Sequence, residues 1–217
     1  MYLSSSEAEA LRVRTAQLEA RAGVQVVAGV IGKADHYPEL PWKAFALGAA
    51  LAGIAVFVFD WLHPDWASAH AALVHVLAIL GTGAADALIA IFIPAYARIF
   101  LNATHAAAEV RHYAESMFLR HRLFDTRGRN AILLLVSVFE RRVEIVADSG
   151  LDGKVGEPQW RAVIATMTAH LAAGHASLAL QHGLQRLEEI LRENGIGVES
   201  DGANDLADRP IEERGVR

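Results

Sequence analysis

Asp125, Asp148 and Asp152 surround a run of aliphatic residues, and Asp148 is followed by Ser149-Gly150. A carboxylate at such a turn, helped by backbone carbonyls, can take a hard cation such as Ca or Mg. Asp-Ser-Gly is equally an ordinary way to leave a strand. Arg141 and Arg142, with Arg127 and Arg129 further upstream, could clamp a phosphate or carboxylate through bidentate pairs. The same arginines could instead solvate a hairpin and pair with Glu140 and Glu144. His105, Glu109 and His112 follow each other at spacings of four and three, so a helix puts them on one face. They would form a metal trio if a second helix supplied ligands, and otherwise a polar surface. His170 and His175, five apart, do not share a face. The sequence contains no D-x-D-x-D loop, Walker lysine loop or G-x-S-x-G elbow, so a phosphatase reading has no nucleophile to name. With no cysteine, thiolate zinc sites, disulfides and cysteine nucleophiles are excluded.

A further carboxylate lies where carboxylates are costly. Asp86 sits in an apolar run with His75, Ile79 and Thr82 on its own helical face. Inside a bilayer such a group faces another helix, water or a partner, or reaches for the boundary, which Pro94 places about 12 Å away. Ala49-xxx-Gly53 and Gly81-xxx-Ala85 are small-residue pairs that allow close helix approach, within a hairpin or between copies.

Composition makes the membrane the first question. The chain is 53% hydrophobic and 21% charged, and its mean hydropathy is +0.25. That is oily for an ordinary domain of this size. The net charge of −5 offers no basic surplus for nucleic acid. Between Lys43 and Asp60 no charge intervenes, and Trp42 and Trp61 bracket the run. As a helix this covers roughly 28 Å, close to the hydrocarbon thickness of a bilayer, with an indole at each boundary. The second run, Ala71 to Leu101, carries only His75 and Asp86 before Arg98, and Pro94 marks its exit. The two form a predicted transmembrane hairpin. Lys33, Lys43, Arg98 and Arg111 flank it, while the loop WLHPDWASAH has no lysine or arginine. The positive-inside rule puts both termini in the cytoplasm. Met1 to Ala22 has no apolar stretch like a signal peptide, and no cleavage is expected.

Outside the hairpin, Ser4-Ser5-Ser6-Glu7 offers caps for a helix ending at Gly23, and Val24 to Ile31 reads as a strand with Val24, Val26, Ala28 and Val30 on one face. A helix over Thr104 to Leu123 precedes two strands, AILLLVSVF and RVEIVAD, joined by a tight turn. In the second, Val143, Ile145 and Ala147 face one way and Arg142, Glu144 and Val146 the other. Two helices follow, with Trp160, Ile164, Met167 and Leu171 on one stripe and Leu180, Leu184, Leu187 and Leu191 on the next. A lone strand before the hairpin can satisfy its backbone only by joining the later pair. The predicted organisation is therefore a discontinuous domain, residues 1–32 plus 102–197, around a hairpin at 43–101. A polar, glycine-bearing stretch at 198–217 is expected to be disordered.

Residues 129–155, RNAILLLVSVFERRVEIVADSGLDGKV, resemble the TPM domain, specifically the bacterial membrane form with a transmembrane pair inserted in the domain. There the hairpin reads Ser, Glu-Arg-Arg-Val-Glu-Ile, Ala-Asp, one residue, and Gly-Ile/Leu. Asn130-Ala131 stands where the family usually carries Thr-Gly. The resemblance implies an α/β (α+β) sandwich with a small mixed sheet of about three to four strands flanked by helices. It also implies the bacterial inner membrane. Some distant relatives are associated with phosphatase activity, divalent-cation binding or accessory roles in membrane assemblies, and a shared fold does not transmit one of these. The leading expectation is a non-catalytic accessory or scaffold that docks to other membrane proteins, or to copies of itself, at the cytoplasmic face. The alternative is a divalent-cation-dependent phosphatase around Asp148 and Arg142.

Overall fold

A computed structural model describes residues 2–66, 68–197 and 210–216. The chain divides into two compact units, Met1–Asp35 with Thr104–Arg217, and His36–Ala103.

The first unit starts with helix α1, Ser5–Ala22. Ser4 caps it reciprocally: Glu7 N–H donates to the Ser4 hydroxyl at 3.3 Å, and Ser4 N–H donates to Glu7 at 2.8 Å. Gly23, at φ 64°, closes the helix in the left-handed conformation that glycine adopts without strain. Strands β1 (Gln25–Ile31), β2 (Ala131–Ser137), β3 (Arg142–Ala147) and β4 (Ile211–Glu213) form one mixed sheet in the order β3-β2-β1-β4. β1 runs parallel to β2 in full register, Gln25 opposite Ala131 through Ile31 opposite Ser137. β2 and β3 are an antiparallel hairpin with Ser137 opposite Arg142.

Every position of β1 and β2 is buried, because helices cover both faces of the sheet. Alternate residues go to separate cores. Val26, Ala28, Val30, Ile132, Leu134 and Val136 pack with Leu11, Leu18, Met167, Leu180 and Leu187. These last five come from α1 and from helices α6 (Glu157–Ala172) and α7 (Ala176–Glu193). Val27, Ile31, Ala131, Leu133 and Leu135 pack with Val110, Ala114 and Met117 of helix α5, Ala103–Arg120. The result is an α/β sandwich. Each Val, Leu, Ile or Met side chain among these contributes about 1.5–3 kcal/mol when taken from water, so the two central strands anchor the unit. Because β1 and β2 come from opposite sides of the insertion in sequence, the domain is discontinuous.

The stretch 198–217 is expected from its composition to be disordered. Residues 198–209 lie outside the described residues, but Ile211–Glu213 is the strand β4, parallel to β1. Three residues with two carboxylates carry no readable strand period, and pairing to the β1 edge overrides that composition.

The second unit holds helices α2 (Glu39–Leu62) and α3 (Ala69–Phe92), joined through a short turn at Pro64–Trp66, with a four-residue helix α4 at Pro94–Ala97. Both long helices are apolar and long enough to cross a membrane, and only 6% and 11% of their most apolar windows are buried. Trp42, Leu51, Ile54, Phe57, Trp61 and Phe92 are exposed. The predicted close approach through Ala49, Gly53, Gly81 and Ala85 is not what holds this pair. The space beside Gly53 and Gly81 is open, whereas a Cβ on Gly48 would lie 2.7 Å from Asp86 Oδ2 and one on Gly83 would lie 2.9 Å from the Phe45 ring. Neighbouring positions on a helix point about 100° apart, so the contact falls one or two residues from the expected stripes.

Candidate functional site

The β2–β3 hairpin positions the predicted polar residues at its two ends. At the open end, Arg129 precedes β2 and Asp148 follows β3. Asp148 is 5% exposed. Its Oδ1 accepts from Ser149 N–H at 2.8 Å and lies 3.2 Å from the Arg129 guanidinium, while Oδ2 is buried with no hydrogen-bond partner. Arg129 also lies over the Phe124 ring, 5.9 Å from its centroid. Gly150 N–H donates to Arg129 O at 2.7 Å, and a Cβ on Gly150 would meet Arg129 O at 2.5 Å. This close approach requires a glycine there. The turn that leaves β3 is thus pinned to the residues that enter β2.

At the closed end, Val138–Arg141 makes the turn, with Arg141 at φ 52° and exposed. Arg142 is the first residue of β3 and Asp148 comes after its last. Six residues of strand separate them by about 20 Å. Arg141 and Arg142 therefore do not join Arg129 in one anion clamp, and a site uniting Asp148 with Arg142 is ruled out by the extended backbone between them. Arg142 instead contributes positive charge near Glu144. Asp125 and Asp152 are exposed, and among the described residues no three His, Asp or Glu side chains are gathered as ligands of one metal ion. For a bound divalent cation the fit is partial. Asp148 offers one unbonded buried oxygen, but its other oxygen already faces a guanidinium.

Two roles have no signal in the sequence pattern. Glu140 is 7% exposed; it accepts from Ala34 N–H at 2.8 Å and from the Ser137 hydroxyl. It ties the β2–β3 turn to the chain leaving β1, a partner 106 residues away that spacing cannot reveal. Asn130, the departure from Thr-Gly, donates from its amide to Gly23 O and so links the β2 entry to the end of α1.

On α5, His105 pairs with Glu109 at 3.3 Å. His170 stacks on His182 of α7 with centroids 4.2 Å apart, and is not grouped with His175. Glu144 is pushed above its ordinary value, first by burial; Arg111 opposes this, Glu115 adds to it and Arg142 opposes it. Tyr113 is pushed up by burial and by its hydrogen bond to Glu213.

In the helical hairpin, Asp86 packs across Gly48 and hydrogen-bonds with Tyr96. His75 and Thr82 do not join it. His75 Nδ1 lies 3.5 Å from Asp60 with Phe59 edge-on, and Thr82 donates back to Ala78 O at 2.8 Å.

These features define a class: a mixed-sheet α/β domain interrupted by two apolar helices, with a pinned β-hairpin carrying its distinctive polar residues. Residues 97–190 match the family model of the TPM domain. The chain is also similar to the solved structure of the BA42 protein from the psychrophilic bacterium Bizionia argentinensis. The TM-score is 0.59 at 11% identity, covering 98% of this chain and 97% of that one. At that identity the likeness speaks for the fold alone. No curated protein matches the chain.

Proposed function

We propose that this chain is a membrane-anchored accessory or scaffold, its TPM domain held at the cytoplasmic face of the bacterial inner membrane and docked to other membrane proteins. The supporting observation is the surface of the two long helices. Leu51, Ile54, Phe57, Trp61, Leu77 and Phe92 are exposed on a unit whose helices bury little of themselves. Water would penalise such a surface and a hydrocarbon layer would not. The small residues Gly53 and Gly81 face open space rather than the partner helix, which leaves grooves where another transmembrane helix can approach closely. Both ends of the hairpin lead in sequence into the domain, after Asp35 and before Thr104.

The test is co-purification of the full chain from its native membrane in mild detergent. Gly53→Leu and Gly81→Leu fill the grooves without touching the Gly48 contact, and are expected to release a partner that the parent chain retains. A parent chain that emerges alone and monomeric contradicts the proposal.

One observation favours a second reading, hydrolysis of a phosphomonoester at the Arg129–Asp148 end of the hairpin: the unbonded, buried Oδ2 of Asp148. It predicts turnover with Mg or Ca that Asp148→Asn abolishes. A folded parent chain that is inactive with both ions ends this reading.

A further inference from the structure

The turn between α2 and α3 borders a cavity of about 220 Å³ whose polar lining is Asp60, His63, Ser68 and His75. His63 is the residue that closes α2, and His75 lies in the second turn of α3. Each imidazole faces an acceptor with its Nδ1. His63 Nδ1 lies 3.0 Å from Phe59 O, and a carbonyl oxygen only accepts, so the proton of that bond sits on Nδ1. His75 Nδ1 lies 3.5 Å from Asp60 Oδ2, and the carboxylate likewise favours the proton on the nitrogen that faces it. A neutral ring with its proton at Nδ1 keeps the lone pair of Nε2. Phe59 orders both rings as well: it stacks on His63 with centroids 4.6 Å apart and meets His75 edge-on at 6.4 Å. Ser68, by contrast, is occupied in capping α3, accepting from Ala71 N–H at 3.1 Å.

An imidazole that donates from one nitrogen to a carbonyl or carboxylate and keeps a lone pair on the other is in the state that metal-bound histidines adopt. Imidazole suits Zn²⁺, Ni²⁺ and Cu²⁺, whereas Mg²⁺ and Ca²⁺ take oxygen ligands. Two ring nitrogens are on offer here and not a set of three side chains, so the remaining positions around an ion fall to water, as at an open site.

We propose that His63 and His75 bind one divalent transition-metal ion through their Nε2 atoms in the cavity at the α2–α3 turn, with Asp60 as the positioning residue that orients His75. The site lies within the helical unit and depends neither on the docking role nor on the hydrolysis considered above.

The test uses the full chain, purified in mild detergent without a histidine tag, stripped with a chelator and titrated with Zn²⁺ by calorimetry. A pH of about 7.5 keeps imidazole neutral, since its ordinary pKa is about 6.5. One ion per chain is expected, and either His63→Ala or His75→Ala abolishes its binding. Asp60→Ala weakens binding about 10–100-fold. Asp60→Asn recovers most of that loss, because its amide oxygen still accepts from Nδ1. The chain has ten histidines, so His170→Ala, in the other unit, is the control and leaves binding unchanged. Circular dichroism of each metal-free variant separates loss of the site from loss of fold, and His63 is exposed, so its truncation leaves the helix pair intact. No stoichiometric binding by the parent, or binding that survives either histidine substitution, overturns the proposal. Equal affinities in Asp60→Ala and the parent, or equal losses in Asp60→Ala and Asp60→Asn, overturn the role of Asp60.

Discussion

Replacing Glu140 tests the junction that joins the two sequence halves of the domain. Its carboxylate is nearly solvent-free and receives two donors, Ala34 N–H on the chain leaving β1 and the Ser137 hydroxyl at the end of β2. Glu140→Ala removes both bonds and leaves the Ala34 amide buried without an acceptor. A hydrogen bond to a charged group contributes about 1.5–3 kcal/mol and an orphaned buried donor costs about 1–3 kcal/mol, so the expected loss is about 3–5 kcal/mol. That is a large part of the roughly 5–15 kcal/mol that stabilises a typical domain. Glu140→Gln should be far milder, about 1 kcal/mol or less, because the amide oxygen can accept from Ala34 while its NH2 donates to Ser137 Oγ. Hydrogen exchange of the β1 and β2 amides in the full, detergent-solubilised chain reads the difference. Glu140→Ala should exchange roughly 100-fold faster or more, since about 1.4 kcal/mol is tenfold. Exchange within threefold of the parent, or equal effects from the Ala and Gln variants, would refute the reasoning.

The helical hairpin offers a paired comparison. Gly48→Val forces Asp86 aside and should lower the melting of the helix pair by an overpacking cost of about 1–3 kcal/mol, whereas Gly53→Val, facing open space, should stay within about 0.5 kcal/mol on the same circular dichroism melt. Glu144 is an acid whose folded pKa is raised by burial, so its contribution to stability is complete below its unfolded value of 4.5 and is lost as pH rises through the folded value. Glu144→Gln should therefore raise stability at neutral pH and flatten the profile above pH 4.5; an unchanged profile in urea titrations would count against this. Glu213 behaves in the opposite sense. Burial pushes it up, but the Tyr113 and His121 hydrogen bonds and the charges of Arg120 and His121 hold it below its ordinary value. Its contribution is present above 4.5 and lost as pH falls through the folded value, so β4 amides should lose exchange protection in acid before those of β2.

Much of the unit that carries the sheet was legible because its central strands are rich in aliphatic residues. The β-branched stretch Val24 to Ile31, broken only by Gln25 and Gly29, and the continuous apolar run Ala131 to Val136 read as strands, and a strand isolated by an apolar hairpin must find partners beyond it. The Ser137–Arg142 turn followed from the tight spacing of two strands. β4 was not legible, because Ile-Glu-Glu has no period and its stabilisation comes from Tyr113, Arg120 and His121, some ninety to one hundred residues away. Glu140 was visible as a carboxylate near the hairpin, but its amide partner Ala34 was not. The arginines were misgrouped because sequence proximity to one hairpin says nothing about which end a residue occupies. In the helical pair, Gly48 and Gly83 rather than Gly53 and Gly81 make the contact. The choice depends on how each helix is rotated toward its neighbour, and small-residue spacing alone leaves that rotation open.

The account rests on the hairpin crossing the membrane and returning, so that β1 and β2 pair on one side. Single cysteines introduced into the cysteine-free chain at Ser5, at Asp65 and at Arg161 can be labelled with a membrane-impermeant thiol reagent in intact spheroplasts and in inverted vesicles. The account predicts that Asp65→Cys reacts only from outside and that Ser5→Cys and Arg161→Cys react only from the cytoplasmic side. Labelling of Ser5→Cys and Arg161→Cys from opposite sides, or of all three from the same side, would contradict it.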